Sequence, residues 1–321
     1  MAGTHDDVLR QALSEGLLAF PLTPFFDDGQ LDESGLVSHL SFLIAHEPAA
    51  IVAAGGAGEL FSLSMSEHEV VTREAVAQAT GKLPVLVGAG YGTPIAREMA
   101  KRIEKAGADG ILLFPPYLIQ AEQSGLQAHI EAICSSVGIK VVVYSRDNGI
   151  LSTETVLRLA DSCPNFFGVK DGAGDLQSFL QIRLRAGDRL ALINGAPTAE
   201  MSAPQYRAVG VNSYTSGVFS FLPAVAKAFF RALKADDQIR LDALLKDFYF
   251  PFVALRNRRR GYSVSLLKAG ARVVGHSAGP VRPPLVDCSD EELALLRTLI
   301  ESASHFDDRA GAAHRAMAAV S

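Results

Sequence analysis

From residue 17 onward, short unbroken apolar runs alternate with longer stretches whose apolar positions recur every three to four residues. The runs fall at 17–20, 50–54, 85–87, 110–114, 140–144, 166–169, 190–193 and 211–214. Each is too short for a helix and has no polar alternation, which predicts strands buried on both faces. Between them, the helical period predicts helices at 32–45, 66–79, 94–106, 123–137, 152–162, 175–186 and 197–208. Ser66 stands three residues before Glu69, as a capping box requires, and Ser152 is a second start signal. Gly107 and Gly138 sit where C-terminal helix glycines belong. Strands joined by helices at this spacing imply parallel βαβ units. Eight such units favour an α/β fold of the closed (β/α)8 TIM-barrel type.

An open dinucleotide-binding sheet is the alternative. The turns at Gly55-Gly56-Ala57-Gly58 and Gly88-Ala89-Gly90-Tyr91-Gly92 are glycine-rich and follow strands. Phe61 and Thr93 occupy the position of the last glycine in the fingerprint, so no cofactor-binding site of that kind is expected. After Phe219 the alternation stops, and 223–234, 238–250, 263–271 and 289–302 read as helices without intervening strands. The expected organisation is a barrel over 14–219, a C-terminal helical extension over 220–302, and a small-residue tail over 303–321. Within the extension, Gly279-Pro280-Val281-Arg282-Pro283-Pro284 reads as an extended linker, because three prolines deny helix.

At 321 residues and 48% hydrophobic, the chain can bury a large core. Its net charge of −5 speaks against a nucleic-acid partner, and the cluster Arg256, Arg258, Arg259, Arg260 reads as a solvated or subunit-contact face. Cys134, Cys163 and Cys288 have neither metal spacing nor a disulfide framework. The polar, acidic start lacks the order of a signal peptide, and no apolar run approaches a membrane span. A soluble cytoplasmic protein is expected.

Active sites of such barrels lie at the carboxyl ends of the strands. Two strand ends stand out: Tyr144, and Lys170 in Phe166-Phe167-Gly168-Val169-Lys170-Asp171-Gly172. A strand-end lysine ordinarily snorkels to solvent, and a strand-end tyrosine ordinarily anchors its strand. Adjacent strands are about 4.8 Å apart, so these two side chains can meet. An ordinary lysine is neutral in roughly one molecule in 2,500 at pH 7, and burial recovers much of that factor, leaving an amine able to form an imine with a ketone.

Lys170 within Gly-Val-Lys-Asp-Gly, Tyr144 on the preceding strand and the Gly-Gly-Ala-Gly-Glu loop at 55–59 resemble the dihydrodipicolinate synthase and N-acetylneuraminate lyase superfamily. The resemblance spans about 14–302. Pro115-Pro116-Tyr117-Leu118, Tyr144-Ser145-Arg146-Asp147-Asn148, Pro197-Thr198-Ala199-Glu200 and the stretch from Asn257 to Pro284 resemble the decarboxylating 5-dehydro-4-deoxyglucarate dehydratase branch. The resemblance implies a lyase working through a Schiff base on Lys170, with Tyr144 as proton shuttle and neither metal nor organic cofactor. It implies a keto-deoxy sugar diacid as the small-molecule partner, a homotetramer, and no membrane.

Gly56 and Ala57 would bind the keto-acid carboxylate, Arg146 would bind the distal one or pair with Asp147, and Asn194 and Ser213 complete the expected substrate-binding set. The chain departs from the superfamily where two loop threonines are replaced by Gly56 and Ala57, an asparagine by Ser145, and a bridging tyrosine by Leu118. A sibling pyruvate-type aldolase and a non-catalytic sugar-acid-binding barrel are the competing readings.

Overall fold

The computed structural model describes residues 4–117 and 120–306. Its eight parallel strands are β1 Leu17–Ala19, β2 Ala50–Ala53, β3 Val85–Ala89, β4 Gly110–Leu113, β5 Lys140–Ser145, β6 Phe166–Asp171, β7 Ala191–Asn194 and β8 Ser213–Ser216. They follow one another in chain order, and β8 pairs with β1 to close the barrel. Helices α1 His5–Glu15, α2 Glu33–Ala45, α3 Met65–Ala79, α4 Thr93–Lys105, α5 Gln123–Cys134, α6 Thr153–Ser162, α7 Leu176–Ala186 and α8 Ala203–Ala208 precede or separate the strands. The strands are buried on both faces because the helices cover the outside and their own side chains fill the inside, which is why they read as continuous apolar runs.

Helix α1 went unread in the sequence. It is polar overall, but Leu9, Ala12 and Leu13 share one face and are buried, and a Thr4–Asp7 capping box fixes its start. It packs on β1, β2, β7 and β8. Helix α3 is capped by Ser64 and Glu67 rather than Ser66 and Glu69. The motif Ser-x-x-Glu occurs twice, two residues apart, and the earlier copy lets Met65 pack on the core. Helix α5 ends at Cys134, so Gly138 is no helix cap; its N–H donates to Glu104 at 2.6 Å. Gly107 does take the left-handed conformation after α4.

The register of β5 against β6 slips by one residue: Val141 pairs with Phe166, whereas Val142 pairs with Gly168. Phe167 is therefore a bulge, and its ring packs under Arg10 of α1, 4.3 Å from the guanidinium carbon. Side chains alternate along a strand, so one inserted residue decides which face every later residue takes. Beyond the slip, Tyr144 pairs with Lys170, and Lys170 with Ile193.

After β8 the chain is helical, with α9 Pro223–Lys234, α10 Gln238–Leu244, α11 Phe250–Arg256, α12 Tyr262–Val273 and α13 Asp290–Ser302. The helix expected at 238–250 runs on to Arg256 through a π-turn at Leu245–Tyr249, which accommodates Pro251 at the start of α11. Ala303–Phe306 form a short turn with Phe306 buried, and the rest of the expected tail, 307–321, lies outside the described residues. No helix among the described residues is long and apolar enough to cross a membrane.

Candidate active site

At the carboxyl ends of the strands, Phe20, Gly56, Ala57, Tyr144, Arg146 and Lys170 share the wall of a cavity of about 300 Å³. The opposite wall comes from the β7 loop and from the segment that opens α12. Gly56 and Arg146 also border a wider outer cavity of about 570 Å³, whose mouth is formed by Phe61, Phe114 and the Pro115-Pro116-Tyr117 loop. The inner cavity is the candidate site, because Lys170 and Tyr144 line it.

Lys170 is 2% exposed. Its Nζ stands 3.3 Å from the centroid of the Tyr144 ring and donates weakly to the Gly195 carbonyl at 3.5 Å. Burial holds its pKa well below the ordinary lysine value, the positive Arg146 pushes the same way, and Asp171 opposes them. The ring face favours the ammonium by up to about 2 kcal/mol. Desolvation of the fully buried ammonium outweighs that contribution, so the fold favours the neutral amine, the form that can attack a ketone.

Tyr144 donates to the same Gly195 carbonyl at 2.6 Å and accepts from Arg146 Nη1 at 3.3 Å. Burial raises its pKa, with Arg146 opposing. Amine and phenol thus share one acceptor, which holds the ring hydroxyl beside the amine, where it can exchange a proton directly with a group formed there. Two glycines make the room. A Cβ on Gly195 would lie 2.6 Å from Lys170 Cγ, and one on Gly172 would lie 2.8 Å from the Tyr144 ring. Asp171, on the opposite face of β6, accepts from the Tyr206 hydroxyl of α8 at 2.5 Å and from Ala173 N at 2.8 Å. It fixes the turn that follows the lysine.

The expected loop residues are in place. Gly56 and Ala57 line the cavity, and the N–H groups of Gly56, Ala57 and Gly58 have no acceptor among the described residues. Glu59 anchors this loop: its carboxylate meets Lys268 Nζ of α12 at 2.6 Å, with both side chains fully buried, and it accepts from Arg282 N at 3.2 Å. Burial lowers Lys268 to about 8 despite the help of Glu59. Arg146 reaches the cavity and also pairs with Asp147 at 2.6 Å. Asp147 is largely solvent-exposed, so water weakens the pair and the half-buried guanidinium stays available to a carboxylate. Ser145 accepts from Leu151 N at 3.0 Å and pins the 146–151 turn. Leu118 lies outside the described residues.

Asn194 and Ser213 do not line the cavity. Asn194 is in register with Asp171 and so shares its outward face; its amide donates to Ala199 O and Ser202 Oγ and accepts from Ala196 N. Ser213 is in register with Ile193, itself the partner of Lys170, and so faces inward without forming part of the cavity wall. Because β8 runs to Ser216 rather than ending at 214, the inward residue at the mouth is Thr215, two positions on. Thr215, Thr198 and Ser263 supply the wall's hydroxyls in a site that lacks the loop threonines. The helix expected from 197 begins at Ala203, so Pro197 and Thr198 are wall instead of helix.

Behind this wall, Glu200 is buried completely, accepts from Ser216 Oγ and from Tyr249 Oη of the π-turn, and has one carboxylate oxygen without a partner among the described residues. Burial raises its pKa to about 7.

Comparison with known proteins agrees with this geometry. Residues 13–303 match the dihydrodipicolinate synthetase family. A Rhizobium rhizogenes protein named "Probable 5-dehydro-4-deoxyglucarate dehydratase" is 52% identical over 92% of this chain and 97% of its own. One of the same name from Bradyrhizobium diazoefficiens is 48% identical over 91% and 93%. Among solved structures, dihydrodipicolinate synthase from Bacillus clausii superposes with a TM-score of 0.83 at 28% identity, covering 92% of this chain and 99% of that one. The Oceanobacillus iheyensis synthase gives 0.84 at 26%, covering 92% and 98%.

Proposed function

The chain belongs to the dihydrodipicolinate synthetase family, and from that premise we propose that it converts 5-dehydro-4-deoxy-D-glucarate to 2,5-dioxopentanoate, water and CO2. The observation that carries the reading is the buried, uncharged-leaning amine of Lys170 at the floor of a cavity, in a chain about half identical to relatives named for this dehydration. Lys170 attacks the ketone and loses water to form an imine, while Tyr144 carries protons to and from the carbinolamine. The iminium acidifies the neighbouring CH2. Loss of a proton there gives an enamine that expels the β-hydroxyl as water. The conjugated iminium that results accepts the electron pair of the C–CO2 bond at the far end of the chain, and CO2 leaves. Reprotonation, tautomerisation of the resulting enol to an aldehyde, and hydrolysis then free Lys170.

The unpartnered amides of the 55–59 loop support binding of the carboxylate beside the ketone, and Arg146 supports binding of the distal one. The reading includes a homotetramer and a cytoplasmic location, the latter in keeping with three free cysteines.

Product analysis tests it. The purified protein should release one CO2 and one 2,5-dioxopentanoate per molecule consumed; pyruvate without CO2 would assign it to the aldolases, and no turnover would leave a binding barrel.

A further inference from the structure

Thr198 lines the inner cavity in a conformation that β-branched residues avoid, with φ 53° and ψ 69°. Arg256, the last residue of α11, holds it there: Nη1 donates to Thr198 Oγ1 at 2.5 Å. The same guanidinium donates to Asn257 Oδ1 at 3.2 and 3.1 Å and has no carboxylate partner among the described residues. Arg256 therefore differs from Arg258 and Arg259, which face the exposed Glu291 and the buried Glu292.

A guanidinium can only donate. Thr198 Oγ1 is thus the acceptor, and its own proton, which has no acceptor among the described residues, is free for another oxygen. The neighbouring cation polarises that hydroxyl into a stronger donor. Strained backbone and a half-buried cation without an acid both cost stability, and such features persist where a site uses them. The β7 loop lies three strands from the 55–59 loop around the rim, past β8 and β1. A six-carbon chain anchored at its keto end by Lys170 and the 55–59 loop has oxygens left over for a donor on this wall.

We propose that Thr198, positioned and polarised by Arg256, donates a hydrogen bond to the distal carboxylate of a 2-keto diacid and so separates six-carbon diacids from pyruvate. The proposal rests on the imine reading of Lys170 and names a further part of that site.

Borohydride trapping tests it without requiring turnover. Half-saturating concentrations are measured for 2-oxoadipate, a six-carbon 2-keto diacid, and for pyruvate, with wild type, Thr198→Val, Thr198→Ser and Arg256→Met. Thr198→Val and Arg256→Met should raise the 2-oxoadipate value about tenfold, the worth of roughly one hydrogen bond. Pyruvate trapping should stay within twofold, which also shows that the variants fold, and Thr198→Ser should restore diacid binding. An unchanged 2-oxoadipate value in Thr198→Val, equal losses on both ligands, or a serine as impaired as valine overturns the proposal. An unchanged value in Arg256→Met removes the arginine from it. Failure of wild type to trap either ligand removes the imine premise itself, whereas trapping without CO2 release from 5-dehydro-4-deoxyglucarate refutes only the assigned reaction.

Discussion

Lys170 Nζ lies 3.3 Å from the centroid of the Tyr144 ring, and both side chains direct a hydrogen at the carbonyl oxygen of Gly195. The phenol is thus placed for proton transfer while the ring face holds the amine. Tyr144→Phe keeps the ring and loses the hydroxyl. Stopped-flow measurement of imine formation should show a fall of about 100-fold, the usual worth of a positioned acid–base group, with the pH midpoint still well below that of free lysine. A loss below threefold would remove Tyr144 from the proton path.

The same burial makes Lys170 a burden on the fold. Its folded pKa is depressed, so between that value and the ordinary lysine value the unfolded chain binds a proton that the folded chain lacks. Stability contributed by this group therefore rises with pH across that window, and below it the fold carries the full cost of burying the ammonium. Lys170→Met should abolish activity and raise the melting temperature at pH 7, with a flatter pH dependence on the alkaline side. Calorimetry from pH 6 to 10 checks this; a lower melting temperature contradicts it.

Glu200 runs the opposite way. Its pKa is raised to about 7 from 4.5 by burial, with Ser216 and Tyr249 offsetting only part of the cost, and the Tyr214 hydroxyl makes no hydrogen bond among the described residues. The folded state holds the proton longer than the unfolded one, so stability falls as pH rises from about 4.5 to 7, by about 3 kcal/mol at 1.36 kcal/mol per pH unit. Glu200→Gln should be more stable than wild type at pH 8 by about 2 kcal/mol and indistinguishable at pH 4.5, measured by urea unfolding.

Glu59 and Lys268 tie the substrate loop to α12 through a fully buried ion pair. Removing one charge strands the other, at about 3–5 kcal/mol, whereas removing both need not. Lys268→Met should destabilise by that amount, and Glu59→Gln/Lys268→Met should recover more than half of it in a double-mutant cycle. Equal destabilisation by the single and double variants would show that the pair does not act as a unit.

The barrel was legible because eight buried strands leave eight apolar runs, and no other arrangement of βαβ units used them as well. Lys170 was legible for the same reason, as a cation ending an apolar run. Asn194 and Ser213 fall outside the cavity wall because strand-end position alone says neither which face a residue takes nor how far its strand runs on. β8 begins two residues later than its apolar run, which exchanges Ser213 for Thr215, and Asn194 falls on the face that carries Asp171. Thr198 and Arg256 were read as helix start and surface charge, since their meeting depends on a left-handed turn and a π-turn that no periodicity announces.

In the proposed reading Arg146 binds the distal carboxylate, and its charge also pushes the Lys170 pKa down. Arg146→Ala should lower kcat/KM for the diacid about 100-fold, leave the half-saturating concentration for pyruvate within a few-fold, and move the pH midpoint of trapping upward, because its positive charge helps to hold the lysine pKa down. Equal losses on both ligands with an unmoved midpoint would reduce Arg146 to the partner of Asp147.

The central claim is a covalent one, and the most direct measurement is covalent. Sodium borohydride added to the protein with pyruvate or with 5-dehydro-4-deoxyglucarate should fix one ligand per chain irreversibly, and peptide mapping by mass spectrometry should place it on Lys170 alone. No adduct, or an adduct on another lysine such as Lys268, would contradict the account.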